Sequence, residues 1–135
     1  MSTPRRRIAI RTGGRSGTLI EVVFPQAQAM LPKAIAAGVR IACGTDAPAV
    51  PHGQNAKELC ALVDRGMTPM QAIRAATVTS AELIDADDEL GRLAPGYCAD
   101  IIAVPGDVSR NIASTLDVRF VMKEGQIYKQ VDGGA

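Results

Sequence analysis

The pattern of apolar residues changes near Gly91 from a helical period to an alternating one. Before Gly91, apolar side chains recur at intervals of three and four residues, which is typical of amphipathic helices. This spacing predicts helices over 27–37, 55–65 and 69–77 and a short one from Thr79. After Gly91, strands are predicted over 99–104, 118–123 and 126–131, the last two forming a hairpin.

Local signals define where these helices begin and end. Three residue pairs have the spacing of a capping box, in which the N-cap and the third helical residue bond each other's backbone: Asn55 with Glu58, Thr68 with Gln71, and Thr79 with Glu82. Gly38 and Gly66 follow apolar helical stretches and predict helix ends. Pro95-Gly96 has the composition of a type II turn.

Two further β-branched stretches, Thr18–Phe24 and Val39–Cys43, are candidate strands. The second continues into Gly44-Thr45-Asp46 and then into a loop rich in Pro and Gly. A short apolar strand of this kind is typical of a parallel sheet with neighbours on both sides. This chain offers one candidate neighbour, so the order of elements indicates part of a larger α/β fold.

Composition excludes several classes of protein. Hydrophobic residues make up 47% and charged residues 21%, which is typical of a globular chain. Aromatic residues are only 3%, too few for stacking on nucleic acid bases, and no apolar segment is long enough to cross a bilayer. We therefore expect neither a nucleic acid nor a membrane partner.

Charge divides the chain into a basic leader and a mildly acidic body. Residues 1–23 carry five Arg and one Glu, whereas residues 24–135 carry ten basic and thirteen acidic residues. The leader lacks the apolar segment of a secretory signal. An organellar presequence, a phosphate-binding arm and an unstructured tail all remain open for it, and we expect a cytoplasmic protein.

The chemistry-bearing residues are few. Cys43, Cys60 and Cys98 are widely spaced and odd in number, which indicates free thiols. Asp46 follows a predicted strand, where α/β proteins place catalytic carboxylates and metal ligands, although the spacing alone favours a loop-capping role. His52, the single histidine, lies six residues later and is either a ligand-binding residue or a solvated loop residue.

Four segments together resemble the C-terminal part of amidohydrolase-superfamily enzymes, in particular imidazolonepropionase-like and prolidase-like metal-dependent hydrolases. The resemblance runs from about Phe24 to Tyr128, and the matching text is AIAAGVRIACGTDAPAVPHGQNAKEL (34–59), GMTPMQAIRAATVTSAEL (66–83), GRLAPGYCADIIAV (91–104) and VRFVMKEGQIY (118–128).

The resemblance implies an α/β fold made of the last βα unit of a (β/α)₈ TIM-like barrel, over residues 24–90, and strands of a small β-sandwich domain, over 91–131. The leader at 1–23 does not match the family, and 132–135 form a tail. A whole barrel needs about 250 residues. The barrel of this chain is therefore expected to be incomplete.

The resemblance also implies a reaction. Asp46 would contact a divalent metal, zinc in such enzymes, and act as acid or base on the hydrolytic water. His52 would border the pocket for a dipeptide or another small amide.

The family's HxH pair and further His ligands are absent from this sequence. We therefore expect a fragment of an amide-hydrolysing enzyme that holds no metal and is inactive alone. A non-catalytic interaction module and one piece of a split enzyme are the alternatives. A second copy or a complementing chain is the expected partner.

Overall fold

The computed structural model describes residues 24–46 and 51–131. The basic leader, nearly all of the predicted strand at 18–24, and the tail at 132–135 lie outside the described residues. The elements, in chain order, are α1 (Phe24–Ala36), α2 (Ala56–Asp64), α3 (Pro69–Ala76), α4 (Val78–Leu83), β1 (Ile101–Ala103), a 3₁₀ helix (Ile112–Leu116), β2 (Phe120–Lys123) and β3 (Gln126–Gln130).

Two helices end at the predicted glycines. Gly38 has φ of 73°, its N–H donates to the Ile35 carbonyl, and the Val39 N–H donates to the Ala34 carbonyl. Gly66 has φ of 109°, and the same bonding pattern closes α2. This pair of bonds is the Schellman motif, which needs a left-handed residue and therefore favours glycine. Pro32 lies inside α1, which continues through it as one helix.

Of the three predicted capping boxes, the one at Thr68 is confirmed. The Thr68 hydroxyl accepts from the Gln71 N–H, and the Gln71 side chain accepts from the Thr68 N–H. Its extended backbone, with φ of −71° and ψ of 156°, allows this arrangement, and Pro69 occupies the first helical turn.

The other two capping boxes are wrong. Asn55 has a helical backbone, with φ of −56° and ψ of −35°, so its side chain cannot fold over the helix start. The helix that was predicted from Thr79 begins at Val78, which places Thr79 inside it. The carboxylate of Glu82 pairs instead with Arg40.

The predicted strand at 39–43 is not formed, and residues 39–46 adopt neither helix nor strand. A strand requires a neighbouring strand to bond with, and none of the described strands lies beside this segment. The Cys43 N–H donates instead to the carbonyl of Ala75 in α3, at 3.0 Å. The segment is thus attached to helices and not to a sheet.

The core is small and lies between α2, α3 and the 3₁₀ helix. Its buried members are Leu62, Ala72, Ala75 and Ile112. Ile41 and Cys43 pack against them from the 39–46 segment, partly buried. Their alternate neighbours, Arg40 and Ala42, line a separate cavity with Thr79, Glu82 and Leu83. One side of the segment therefore faces the core, as the apolar positions of the sequence require.

The C-terminal strands form an antiparallel sheet of order β1-β2-β3, which confirms the predicted hairpin. The register between β2 and β3 shifts at Val121/Met122. Asp100 supports the hairpin turn, because its carboxylate accepts from Lys123 Nζ at 2.7 Å and from the Glu124 N–H at 2.8 Å. The bond from Lys123 and then that from the Glu124 N–H lower the pKa of Asp100, and the bond between Lys123 and Asp100 is the main cause of the raised pKa of Lys123.

Two glycines, Gly91 and Gly96, allow the loop before the sheet to adopt positive φ. Tyr97 N–H donates to the Ala94 carbonyl, and Gly96 has φ of 92°, which confirms the predicted turn. Gly91 has φ of 86°, and a methyl group on it would lie 2.9 Å from the Thr77 carbonyl oxygen. Among the described helices, none is long and apolar enough to span a bilayer.

Candidate functional site

The segment that leads to Asp46 is held at Cys43 by a short network of hydrogen bonds. The Cys43 N–H lies 3.0 Å from the Ala75 carbonyl oxygen and 3.3 Å from Ser80 Oγ. Ser80 Oγ in turn lies 2.7 Å from the Ala75 carbonyl oxygen. One backbone peptide is therefore attached to both α3 and α4.

A second contact holds the next residues. The Asn55 Nδ2 amide donates to Thr45 Oγ1 at 3.2 Å, which joins two residues ten positions apart. The side chain that fails to cap α2 thus bonds the turn that precedes Asp46. Gly44, between the two anchored residues, is exposed and would meet nothing within 4 Å if it carried a methyl group.

Asp46 is exposed and has a left-handed backbone, with φ of 48°. Aspartate adopts this conformation more readily than most residues but still at some energetic expense. Positive φ in a residue other than glycine is a feature that concentrates at functional sites. The carboxylate of Asp46 is therefore presented to solvent at the end of an anchored segment. Asp85 and Glu124 also have positive φ, of 55° and 52°, so the position of Asp46 after this segment, and not its backbone alone, makes it the candidate.

His52 is also exposed and follows the 47–50 stretch, which lies outside the described residues. Neither Asp46 nor His52 belongs to a metal-binding group. Within residues 24–46 and 51–131, no three His, Cys, Asp or Glu side chains are arranged to hold an ion. A protein metal site needs three or four such ligands, so the described residues do not form a metal site.

A cavity of about 600 Å³ lies against the Cys43–Thr45 backbone. Its walls include Asn55 and Leu59 on one side and, from the sheet, Ile102, Val121 and Lys129. Apolar walls with a few polar groups are typical of small-molecule sites. A smaller cavity of about 360 Å³, beside Ser80 and Gly91, is separate from the Gly44-Thr45 turn. The larger cavity reaches Thr45 and Gly53, the chain neighbours of Asp46 and His52, but neither Asp46 nor His52 is among its lining residues.

The three cysteines are free and partly buried, as predicted. Burial, with a smaller contribution from the negative charge of Glu58, raises the pKa of the Cys43 thiol. A raised pKa leaves less of the reactive thiolate. Cys43 therefore fits a packing residue rather than a nucleophile.

The sequence did not indicate Ser80 as part of the site, and it indicated Asn55 only as a helix cap. Ser80 lies inside a helix and Asn55 at a predicted helix start, where both residue types have ordinary local roles. Their contacts span 37 and 10 residues respectively, and no local pattern indicates bonds of that length.

Comparison with known sequences identifies proteins that are related to this chain. A model of the amidohydrolase family matches residues 17–128. Ochratoxinase from Aspergillus niger is 41% identical over 101 residues, which are 71% of this chain and 21% of that protein. Adenine deaminase from Clostridium botulinum is 33% identical over 64 residues, which are 47% of this chain and 11% of that protein.

Solved structures agree with the sequence comparison. A Xaa-Pro dipeptidase with methionine bound in its active site superposes with a TM-score of 0.77 at 40% identity, over 81% of this chain and 27% of that chain. Ochratoxinase of A. niger superposes with a TM-score of 0.71 at 35% identity, over 85% of this chain and 27% of that chain. This confirms the predicted similarity to prolidase-like enzymes.

The chain spans 21% of the length of the ochratoxinase sequence and 27% of the dipeptidase structure. The relatives imply a TIM-barrel-like α/β fold, and their family is generally metal-dependent. Since the family model covers most of this sequence and includes the turn with Asp46, the chain belongs to the amidohydrolase family.

Proposed function

We propose that this chain contributes the carboxylate-bearing C-terminal segment of an enzyme that hydrolyses amide-type C–N bonds. The observation that carries the proposal is the position of Asp46. Its carboxylate is exposed, its backbone is left-handed, and it follows a segment anchored to two helices. An anchored carboxylate at such a turn can accept a proton from water as a general base. The non-catalytic alternative finds no comparable support.

The proposed organisation follows the same division of the chain. Residues 24–90 act as the last βα unit of the barrel, and residues 91–131 belong to a small β-sandwich. In the assembled enzyme, residues 39–43 would become a strand whose neighbours come from outside the described residues, from a second copy or a complementing chain. This accounts for their being attached to α3 and not to a sheet.

Asp46 is the one ligand that we propose this chain supplies to a divalent cation, with zinc as the expected ion. The other described residues do not complete such a site, so no step of the reaction is assigned to the ion. Asp46 itself would hold the proton removed from the attacking water, and His52 would border the substrate.

The proposed substrate class is a dipeptide or another small amide. The structurally similar proteins include a Xaa-Pro dipeptidase and an ochratoxinase, with identities of 40% and 35%. The cavity of about 600 Å³ beside Gly44 and Thr45 has the volume of a small-molecule site.

A chimeric enzyme tests the proposal. The full 135-residue chain replaces the matched segment of A. niger ochratoxinase, and turnover of the recipient's own substrate and of Xaa-Pro dipeptides is measured. We expect turnover in the chimera, none from the isolated chain, and a loss of at least about 100-fold in kcat for Asp46→Asn, the range of a removed general base.

Asp88→Asn is the matched control, because Asp88 is also an exposed acid but lies in the turn after α4. It should leave turnover unchanged. A chimera that keeps its full kcat with Asp46→Asn would remove Asp46 from the mechanism and the proposal with it.

A further inference from the structure

We propose that Ser80 is the positioning residue for Asp46. The inference rests on the proposed function, in which the Asp46 carboxylate takes the proton from water. Ser80 touches no reacting group, and it acts through the backbone of Cys43. Its hydroxyl bonds the backbone of the segment leading to Asp46, whereas Glu82, also in α4, pairs with the side chain of Arg40.

The chain bends between α3 and α4, and this corner leaves the Ala75 carbonyl free to accept the bond from the Ser80 hydroxyl. Thr77 ends α3 and begins α4 with an irregular backbone, φ of −122° and ψ of −91°. A helix leaves its last carbonyls without partners in the helix, and the Ala75 carbonyl is one of these. Ala75 is 2% exposed, so this carbonyl needs partners from the protein. Cys43 and Ser80 supply them.

The bonding capacity of a hydroxyl fits the geometry. Ser80 has one proton to donate, and the shorter contact, 2.7 Å to the Ala75 carbonyl oxygen, takes it. Its lone pairs then face the Cys43 N–H at 3.3 Å. The Cys43 carbonyl oxygen is also 3.3 Å away, as an alternative acceptor. The hydroxyl is thus within bonding distance of both polar groups of one residue.

This bonding matters because the chain beyond Cys43 is held by little else. Gly44 and Asp46 are exposed, and within residues 24–46 and 51–131 the side chain of Thr45 has one hydrogen bond, from Asn55. Without Ser80 Oγ, the Cys43 peptide would keep one bond, to Ala75. The start of the turn could then shift, and a displacement of about 1 Å of a catalytic group can lower a rate by about 100-fold.

Hydrogen exchange of the full 135-residue chain tests the local effect. In Ser80→Ala, we expect the Cys43 amide, which the described residues show bonded to Ser80 Oγ and to the Ala75 carbonyl, to exchange about fivefold faster, as the loss of one hydrogen bond predicts. Amides of Leu62 and Ala72 in the core should keep their rates. Ser80→Thr retains the hydroxyl and should restore protection. Thr79→Ala, on the adjacent residue, should change nothing.

A uniform increase over all core amides would show a general packing role and would overturn the inference, as would an unchanged rate at Cys43. Should Ser80→Ala fail to fold, Ser80→Cys keeps the volume with a weaker hydrogen-bonding group, and faster exchange at Cys43 without a change at Leu62 and Ala72 is again expected.

Kinetics of the chimera separate this inference from the proposed function. Ser80→Ala should lower kcat about tenfold or more with KM unchanged, because the carboxylate and not the substrate is displaced. Ser80→Thr should recover kcat. If Asp46→Asn abolishes turnover and Ser80→Ala does not alter it, only the role of Ser80 is refuted. If Asp46→Asn has no effect, the proposed function is refuted, and the role of Ser80 that rests on it is refuted as well.

Discussion

Substitution of Gly91 by alanine should destabilise the chain through two separable effects. The first is conformational, since Gly91 has φ of 86° and an L-residue with positive φ loses about 1–2 kcal/mol. The second is steric. The new Cβ would lie 2.9 Å from the Thr77 carbonyl oxygen and 3.1 Å from the Ala81 Cβ. Forced contacts of this kind in packed regions destabilise by about 1–3 kcal/mol.

Gly96→Ala is the control that isolates the steric effect. Gly96 has φ of 92°, close to that of Gly91, but a methyl group there would meet nothing within 4 Å. Its loss should therefore be the conformational part alone, about 1–2 kcal/mol. Gly91→Ala should lose about 2–5 kcal/mol, the sum of both effects.

Urea unfolding followed by circular dichroism, at a fixed protein concentration, measures both variants. The difference between them should be about 1–3 kcal/mol in the free energy of unfolding. Equal losses would refute the reasoning, because they would mean that the 91–100 loop does not approach the α3–α4 corner as closely as described. Thr77 belongs to that corner, so Gly91→Ala should also raise the exchange rate of the Cys43 amide.

Two further substitutions test the core and the sheet. Leu62→Ala, at a residue 4% exposed, should lower the free energy of unfolding by about 2–5 kcal/mol in the same urea experiment, whereas Leu93→Ala, at a residue 78% exposed, should change it by less than about 0.5 kcal/mol. Asp100 has its pKa lowered from 3.8, first by its hydrogen bond from Lys123. A lowered pKa stabilises the fold above pH 3.8, and this contribution disappears as the pH falls through the folded-state pKa. Melting temperatures of the parent chain and Asp100→Asn should therefore differ above pH 3.8 and converge below it, and a constant difference would contradict this account.

How far the sequence predicted the structure depended on the range of each interaction. The helix ends at Gly38 and Gly66 and the hairpin around Glu124 are set by neighbouring residues, and the pattern predicted them. The prediction of a strand at 39–43 was wrong, because a strand depends on partners distant in sequence and the described residues do not supply them. Asn55 shows the same limit, because its amide bonds Thr45 instead of the helix that it precedes.

The candidate site divides in the same way. Asp46 was recognisable from its position after an apolar stretch and from the resemblance of its surroundings, whereas its left-handed backbone was not. The sequence also did not predict the role of Asp100 in the hairpin turn, since its partners, Lys123 and Glu124, lie 23 and 24 positions further along the chain. A sequence shows where a carboxylate lies along the chain, but it does not show which distant group donates a hydrogen bond to it.

The hydrogen bond between Ser80 and the Ala75 carbonyl, at the Thr77 corner, depends on the number of residues between the two. Ala75 and Ser80 are separated by five positions, and each residue added within a helix rotates all that follow by about 100°. An insertion or deletion between them would turn the hydroxyl away from the Ala75 carbonyl even though every residue type were retained. The stretch from Ala75 to Ser80 should therefore keep its length among related chains, whereas the exposed Pro105–Asp107 turn is free to vary in length. Constancy of length, and not only of residue identity, is then a way to recognise this corner in other sequences.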